Sequence, residues 1–177
     1  MNLKLNVLPI ENSYWVIPGR FRAGEHPARG SVDGTKLKLR WLLGLGINYI
    51  MDLTEPGEAD VDYPILIDNE AASLNIKVIY KRSSIQDWSV PSQDMIGEIL
   101  NMIDSAHAEG KNIYIHCFGG RGRTGTVVGC YLARHGRTGI EALKMIQELR
   151  KDIPDDDKQS PETNKQRKMV LEWTKGQ

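Results

Sequence analysis

The sequence predicts an α/β fold built on a largely parallel sheet. Three observations carry this: short apolar runs bounded by turn residues, helical patterns between successive runs, and a glycine-dense loop where the last run gives way to a helix. The first run, residues 14–17, stops at Pro18 and Gly19. Residues 48–53, 77–80 and 112–116 supply three more. Between them, residues 37–45 and 68–74 each suit a short helix. The strongest helical signal lies at 92–108, where Met95, Ile96, Ile99, Met102 and Ile103 fall on one face at helical spacing. Ser92 suits its N-cap and Gly110 its stop. Beyond the glycine-dense loop, a helix is expected over 124–134, ending at His135 and Gly136. Residues 138–151 read as another, capped by Thr138, with Ile140, Leu143 and residues 146–149 facing inward. Asp155, Asp156, Asp157 and Lys158 form a solvated acidic turn. Pro161 then suits the first turn of a last helix running toward Trp173.

No repeat, low-complexity tract or linker divides the 177 residues, so 1–177 is read as one domain. Apolar residues make up 40% and charged residues 26%, which allows a hydrophobic core without disulfides or metals to staple it. Lys plus Arg and Asp plus Glu both number 23, so the formal net charge is zero. That balance gives no global attraction to nucleic acid or acidic membranes, and any preference for anions must be local. Cys117 and Cys130 are the two cysteines. If Arg123 opens a helix, Cys130 lies roughly 10 Å along its axis, beyond the about 7 Å that a disulfide spans. A reduced, cytoplasmic setting follows. Residues 1–7 carry no long apolar run, so neither a signal peptide nor a membrane span is expected there.

The segment with the most chemistry is His116, Cys117, Phe118, Gly119, Gly120, Arg121, Gly122, Arg123, Thr124 and Gly125. It falls between a strand and a helix, where α/β sheets present their ligand sites. Gly119, Gly120 and Gly122 let the backbone turn tightly and aim its N–H groups inward as an anion nest, and the following helix adds the positive end of its dipole. Phosphate or sulfate suits such a nest. A helix N-terminus and neighbouring cations also favour thiolate over thiol, so Cys117 is a candidate nucleophile. Arg123, returning on the curl of the loop, can hold two oxygens of a phosphoryl group. Thr124 can donate to the sulfur. No Gly-Lys-Ser/Thr follows the glycines, which disfavours a nucleotide-binding P-loop.

Residues 116–124 resemble the signature of the protein tyrosine phosphatase superfamily, and nearly the whole chain is similar to its small dual-specificity branch, especially bacterial members and cyclin-dependent-kinase-associated phosphatases. The resemblance implies a central, mainly parallel sheet of four to five strands with helices on both faces. It implies metal-independent hydrolysis of phosphate monoesters, chiefly protein phosphotyrosine with phosphoserine and phosphothreonine as further substrates. No cofactor and no metal are expected. Partners are a phosphorylated protein or a small phosphate ester, and the expected state is a monomer. The loop residues Phe118 to Arg123 bind phosphate in this reading, Cys117 attacks phosphorus, and His116 bonds near the Cys117 backbone.

The leaving oxygen needs an acid. Asp87, followed by Trp88, Ser89, Val90 and Pro91, matches the family's acid loop, with Gln86 where many relatives have proline. Asp94 is the reserve. Gln166 matches one of two glutamines that orient the hydrolytic water in several members, but Glu162 stands at the earlier position. Either Gln166 positions the water, or it packs structurally and Asp87 acts unaided. Arg22 either braces the phosphate loop from behind or pairs with a surface carboxylate. Arg121 is either a second cation for a phosphate-rich substrate, as in some inositol-lipid phosphatases, or an outward arginine. Trp88 adjoins Asp87 at the substrate's entrance, while Trp15, Trp41 and Trp173 read as packing. Two rivals remain: a phosphate-binding module without turnover, which would be expected to lack Cys117, Asp87 or Arg123, and a rhodanese-like sulfurtransferase, which leaves Asp87 and Arg123 unexplained.

Overall fold

The computed structural model describes residues 9–177. The expectation for residues 1–7 therefore lies outside the described residues. In chain order the elements are β1 (Ser13–Ile17), β2 (Phe21–Gly24), α1 (Val32–Gly44), β3 (Tyr49–Asp52), α2 (Pro64–Ser73), β4 (Ile79–Arg82), α3 (Gln93–Ala108), β5 (Ile113–His116), α4 (Gly122–Arg134), α5 (Gly139–Leu149) and α6 (Asn164–Glu172). Five strands form one sheet in the order β1-β2-β5-β3-β4. Only β1 runs antiparallel, joined to β2 by the turn at Pro18 and Gly19.

Strand alternation sorts the two faces. Phe21, Ala23, Tyr49, Met51, Ile113 and Ile115 pack with α3, α4, α5 and α6, whereas Ile50 and Tyr114 pack with α1 and α2. Helix α4 is the centre of the first layer, with residues 122–133 all buried. Gly129 lets α6 lie directly on it, because a Cβ there would sit 2.6 Å from a methyl of Val170. Among the described residues no helix is long and apolar enough to cross a membrane.

Several expectations need correction. Strand β2 is not predicted by the apolar pattern, because Arg22 breaks it. Arg22 neither braces the phosphate loop nor meets a surface carboxylate. It is buried, with its guanidinium 5.0 Å and 4.9 Å from the ring centroids of Trp15 and Trp41, and its N–H groups bond Ser13. Helix α1 starts earlier than residue 37, where the Ser31 side chain accepts from the Gly34 amide. Helix α2 starts at Pro64, which needs no amide partner in a first turn. Pro161 precedes α6 rather than opening it; Thr163 is the cap. Ile140 faces outward at 61% exposure, because α5 turns only Gly139, Ala142 and Ile146 fully inward.

Candidate active site

The parallel register sets Gly24, His116, Asp52 and Arg82 side by side at the carboxyl ends of β2, β5, β3 and β4. Residues 117–121 leave β5 from that row and enter α4. The loop's carbonyls are drawn away from its concave side. The Phe118 oxygen accepts from the His26 amide (2.9 Å), the Gly120 oxygen from Arg150 Nη1 (3.4 Å), and the Arg121 oxygen from Ser160 Oγ (2.9 Å). No amide of residues 118–122 donates to a protein acceptor among the described residues. The loop is thus a ring of unused donors opening onto the N-terminus of α4, the geometry that anions seek. Gly120 holds the tightest point at φ +72°, pressed against the end of β2.

Cys117 is buried at the root of this ring, and Arg123 is 1% exposed. Glu58, in the loop after β3, grips the guanidinium end-on, with Oε1 2.7 Å from Nη1 and Oε2 2.8 Å from Nη2. Nη1 also donates to the Ile85 carbonyl (3.0 Å), and Nη2 lies 3.1 Å from Asp87 Oδ1. Nε is buried without a partner. The Nε–Nη2 edge is therefore the free fork, contested only by Asp87, and it suits two phosphoryl oxygens. Burial alone would lower the guanidinium's pKa; the bonds it donates to Glu58, and the neighbouring Cys117, hold it above its ordinary value. Glu58 in turn is held below the usual carboxylate range, the bonds from Arg123 and the Glu55 amide outweighing its burial.

Behind the loop, His116 Nδ1 lies 3.2 Å from the Cys117 carbonyl, which can only accept. Burial pushes the imidazole's pKa down, and Nε2 is hydrogen-bonded to the Tyr63 hydroxyl at 2.5 Å. His26, Asp52 and His116 bring their donor atoms within 4.8 Å of one another, a spacing that could hold a metal. Each is already engaged. His26 Nδ1 accepts from the Ala28 amide (3.0 Å), and Asp52 accepts from Thr54 (2.8 and 2.6 Å), Tyr80 (2.6 Å) and Arg82 (3.0 Å). Burial alone would push the Asp52 carboxyl up, but the adjoining His116 and the bonds from Thr54 and Tyr80 hold it down to about 2. These bonds make the cluster a rigid base for the Cys117 peptide.

Asp87 is half-exposed and in reach of Arg123, while Asp94 is exposed in the first turn of α3. Thr124 Oγ1 is buried but finds no partner, so its bond to the sulfur is not made in this state. Arg121 points neither freely outward nor into the ring; it pairs with Glu162 at 2.7 Å. Gln166 is 1% exposed and fully occupied by backbone groups on its carbonyl side. Glu58 and Arg150 escape the sequence reading. Glu58 sits in a Pro-Gly turn that looks like surface, and Arg150 in a helix end that looks solvated.

A five-stranded sheet flanked by helices, with a cysteine-rooted loop of unused amides at the strand ends, is the architecture of the dual-specificity class within the protein tyrosine phosphatase superfamily. Residues 26–137 match the family described as "Polymorphic toxin system, DSP-PTPase phosphatase", and the chain belongs to that family. Among curated proteins it is similar to the mouse (Mus musculus) dual specificity protein phosphatase CDC14A, 41% identical over 138 residues covering 75% of this chain and 21% of that one. Among solved structures it resembles Tk-PTP in the active form, with TM-score 0.67, 25% identity, and 92% of this chain and 95% of that chain covered. Kinase-associated phosphatase (KAP) with its catalytic-site cysteine replaced by serine shares the fold, at TM-score 0.67 and 20% identity over 86% of this chain and 84% of that chain. The chain spans between 10% and 26% of the length of the curated relatives it matches.

Proposed function

We propose that residues 1–177 act as one phosphatase domain that hydrolyses phosphate monoesters, phosphotyrosine first, through a cysteinyl-phosphate intermediate. The observation that carries this is the ring of unused amides around Cys117, completed by the free fork of Arg123. A phosphate seated there has its equatorial oxygens bound to the amides and to Nε and Nη2. Cys117 Sγ forms a bond to phosphorus as the bond to the ester oxygen breaks, and Asp87 gives that oxygen its proton. Water then attacks phosphorus, Asp87 takes the water's proton, and the S–P bond breaks to release inorganic phosphate and the thiolate. Thr124, whose hydroxyl is unspent, donates to the departing sulfur. Arg123 and the amides stabilise charge in both steps.

An aryl ester suits the exposed aromatics in or beside this segment. Trp88 is 63% exposed beside Asp87, and Phe118 is 37% exposed with the Arg29 guanidinium 4.8 Å from its ring centroid. A phosphate-rich ligand would draw on Arg121, whose charge Glu162 already offsets. Phosphoserine and phosphothreonine are further substrates in this reading.

The test is hydrolysis of para-nitrophenyl phosphate under reducing conditions with a chelator, comparing the unmodified protein with Cys117→Ser and Asp87→Asn. Turnover that vanishes in Cys117→Ser, with phosphate trapped on the protein by acid quench of the unmodified chain, is expected. A chain that binds inorganic phosphate but shows no turnover overturns the reading in favour of a phosphate-binding module. Turnover of thiosulfate in place of phosphate esters favours a sulfurtransferase.

A further inference from the structure

Residues 86–91 fold as a tight turn over the anion ring. The Ser89 amide and hydroxyl both donate to the Gln86 carbonyl, at 3.1 and 2.7 Å, and Trp88 takes a left-handed φ of +59° that residues other than glycine rarely adopt. This turn makes two polar contacts with the rest of the described protein. One is Asp87 to Arg123 Nη2 at 3.1 Å; the other is Gln166 Nε2 donating to the Ser89 carbonyl at 3.1 Å. A bound phosphate takes the Nη2 edge and removes the first contact in the productive complex. Only the second then ties the Asp87 turn down.

We infer that Gln166 is a positioning residue for the general acid: it latches the Asp87 turn over the phosphate ring and does not handle the hydrolytic water. The proposal rests on the reading of Asp87 as the acid. Orienting a water for attack calls for an oxygen free to accept a hydrogen bond from it. Both lone pairs of Gln166 Oε1 are taken, by the amides of Glu162 at 3.1 Å and Thr163 at 3.0 Å. Those bonds complete the capping box of α6 with Thr163, so the amide group cannot rotate without uncapping the helix. Its nitrogen, moreover, stands over the phosphate loop, 3.1 Å from where a Cβ on Gly122 would be. One planar amide therefore joins three parts, the start of α6, the phosphate loop and the acid turn, and spends its donor on the turn.

The experiment compares phenyl phosphate, whose leaving phenol resembles tyrosine with a pKa of about 10, with an aryl phosphate of a strongly acidic phenol that leaves without help. General-acid assistance contributes roughly 10²- to 10⁴-fold, so a loosened acid turn should lower the kcat/KM ratio of phenyl phosphate to the activated ester, which reports only on the first step, by about 10-fold or more. Gln166→Met, close in size but unable to donate, should show this loss with no pre-steady-state burst of phenol. In an Asp87→Asn background the same substitution should change the ratio by less than about twofold, because the residue works only through Asp87. An unchanged ratio with a burst matching the enzyme concentration overturns the latch in favour of water handling. An unchanged ratio without a burst overturns it in favour of packing alone. If Asp87→Asn itself leaves the ratio unaltered, Asp87 is not the acid, and the underlying reading fails separately. Should Gln166→Met not fold, Gln166→Glu carries the same test, since it keeps an acceptor for the α6 cap and loses the donor to Ser89.

Discussion

Replacing Gly120 by alanine should abolish phosphate capture while leaving most of the fold in place. Two costs combine. A non-glycine residue at φ +72° loses about 1–2 kcal/mol. The new Cβ would also lie 2.5 Å from the Gly24 carbonyl carbon and 2.6 Å from the Glu25 amide nitrogen, both backbone atoms. Strand β2 cannot retreat, because Gly24 is itself packed against Ser13 Cβ and the Tyr114 hydroxyl, with no room for a methyl. Overpacking of this kind typically costs about 1–3 kcal/mol. The sum, about 2–5 kcal/mol, corresponds to a fall in Tm of roughly 5–15 °C for a chain this size. The loop, being the softer partner, shifts instead of the strand. A displacement of about 1 Å in a reacting geometry costs on the order of 100-fold, so kcat/KM on an aryl phosphate should fall at least that far. Inorganic phosphate should raise Tm of the unmodified protein by mass action and leave the variant's unchanged. A variant with unaltered kcat/KM and an unaltered phosphate-induced shift would refute the reasoning that the Gly120 contact shapes the ring.

Other substitutions probe separate links. Arg150→Met removes the tethers to the Gly120 and Asp155 carbonyls; at about 1.5–3 kcal/mol for the better charged-donor bond, thermal melting should show a loss of about 2–4 kcal/mol, with weakened phosphate binding. Gly97→Ala in α3 meets nothing within 4 Å and should gain about 0.5–1 kcal/mol in a denaturant titration, with unaltered turnover. Burial beside His116 holds the His26 imidazole down to about 3, so the unfolded chain binds a proton that the folded one refuses between pH 6.5 and 3. Stability present above pH 6.5 is therefore lost as the pH falls through that window, at up to about 1.4 kcal/mol per pH unit for this group. His26→Gln should flatten the slope in a pH series of denaturant midpoints, and an unchanged slope would exclude His26 as its source.

The parts legible from sequence are those whose signal is local. A glycine-dense turn between an apolar run and a helix allows few geometries, which is why residues 116–125 stand out unaided. The helix at 93–108 announces itself by a clean apolar stripe and a serine cap. Strand β2 does not, because the arginine at its centre is buried by two tryptophan faces, and periodicity counts every arginine as polar. Glu58, Asp52, Tyr63 and Arg150 reach the site from segments far apart in the chain, and each looks ordinary among its own neighbours. Gln166 is visible as a residue through family resemblance, but what its carbonyl and amide touch depends on the turn at Ser89, 77 positions away.

Three guanidinium groups around the ring enter already matched: Arg123 with Glu58 and Asp87, Arg121 with Glu162, and Arg29 with Glu25. Matched charges project little field beyond a Debye length, about 8 Å at physiological salt. A phosphorylated partner is therefore not drawn in from a distance and meets the site at the unsteered rates of about 10⁵–10⁶ M⁻¹s⁻¹. Raising the ionic strength should barely slow that encounter. Discrimination is left to the last few ångströms, where the loop amides and Arg123 Nε are donors with no partner to surrender.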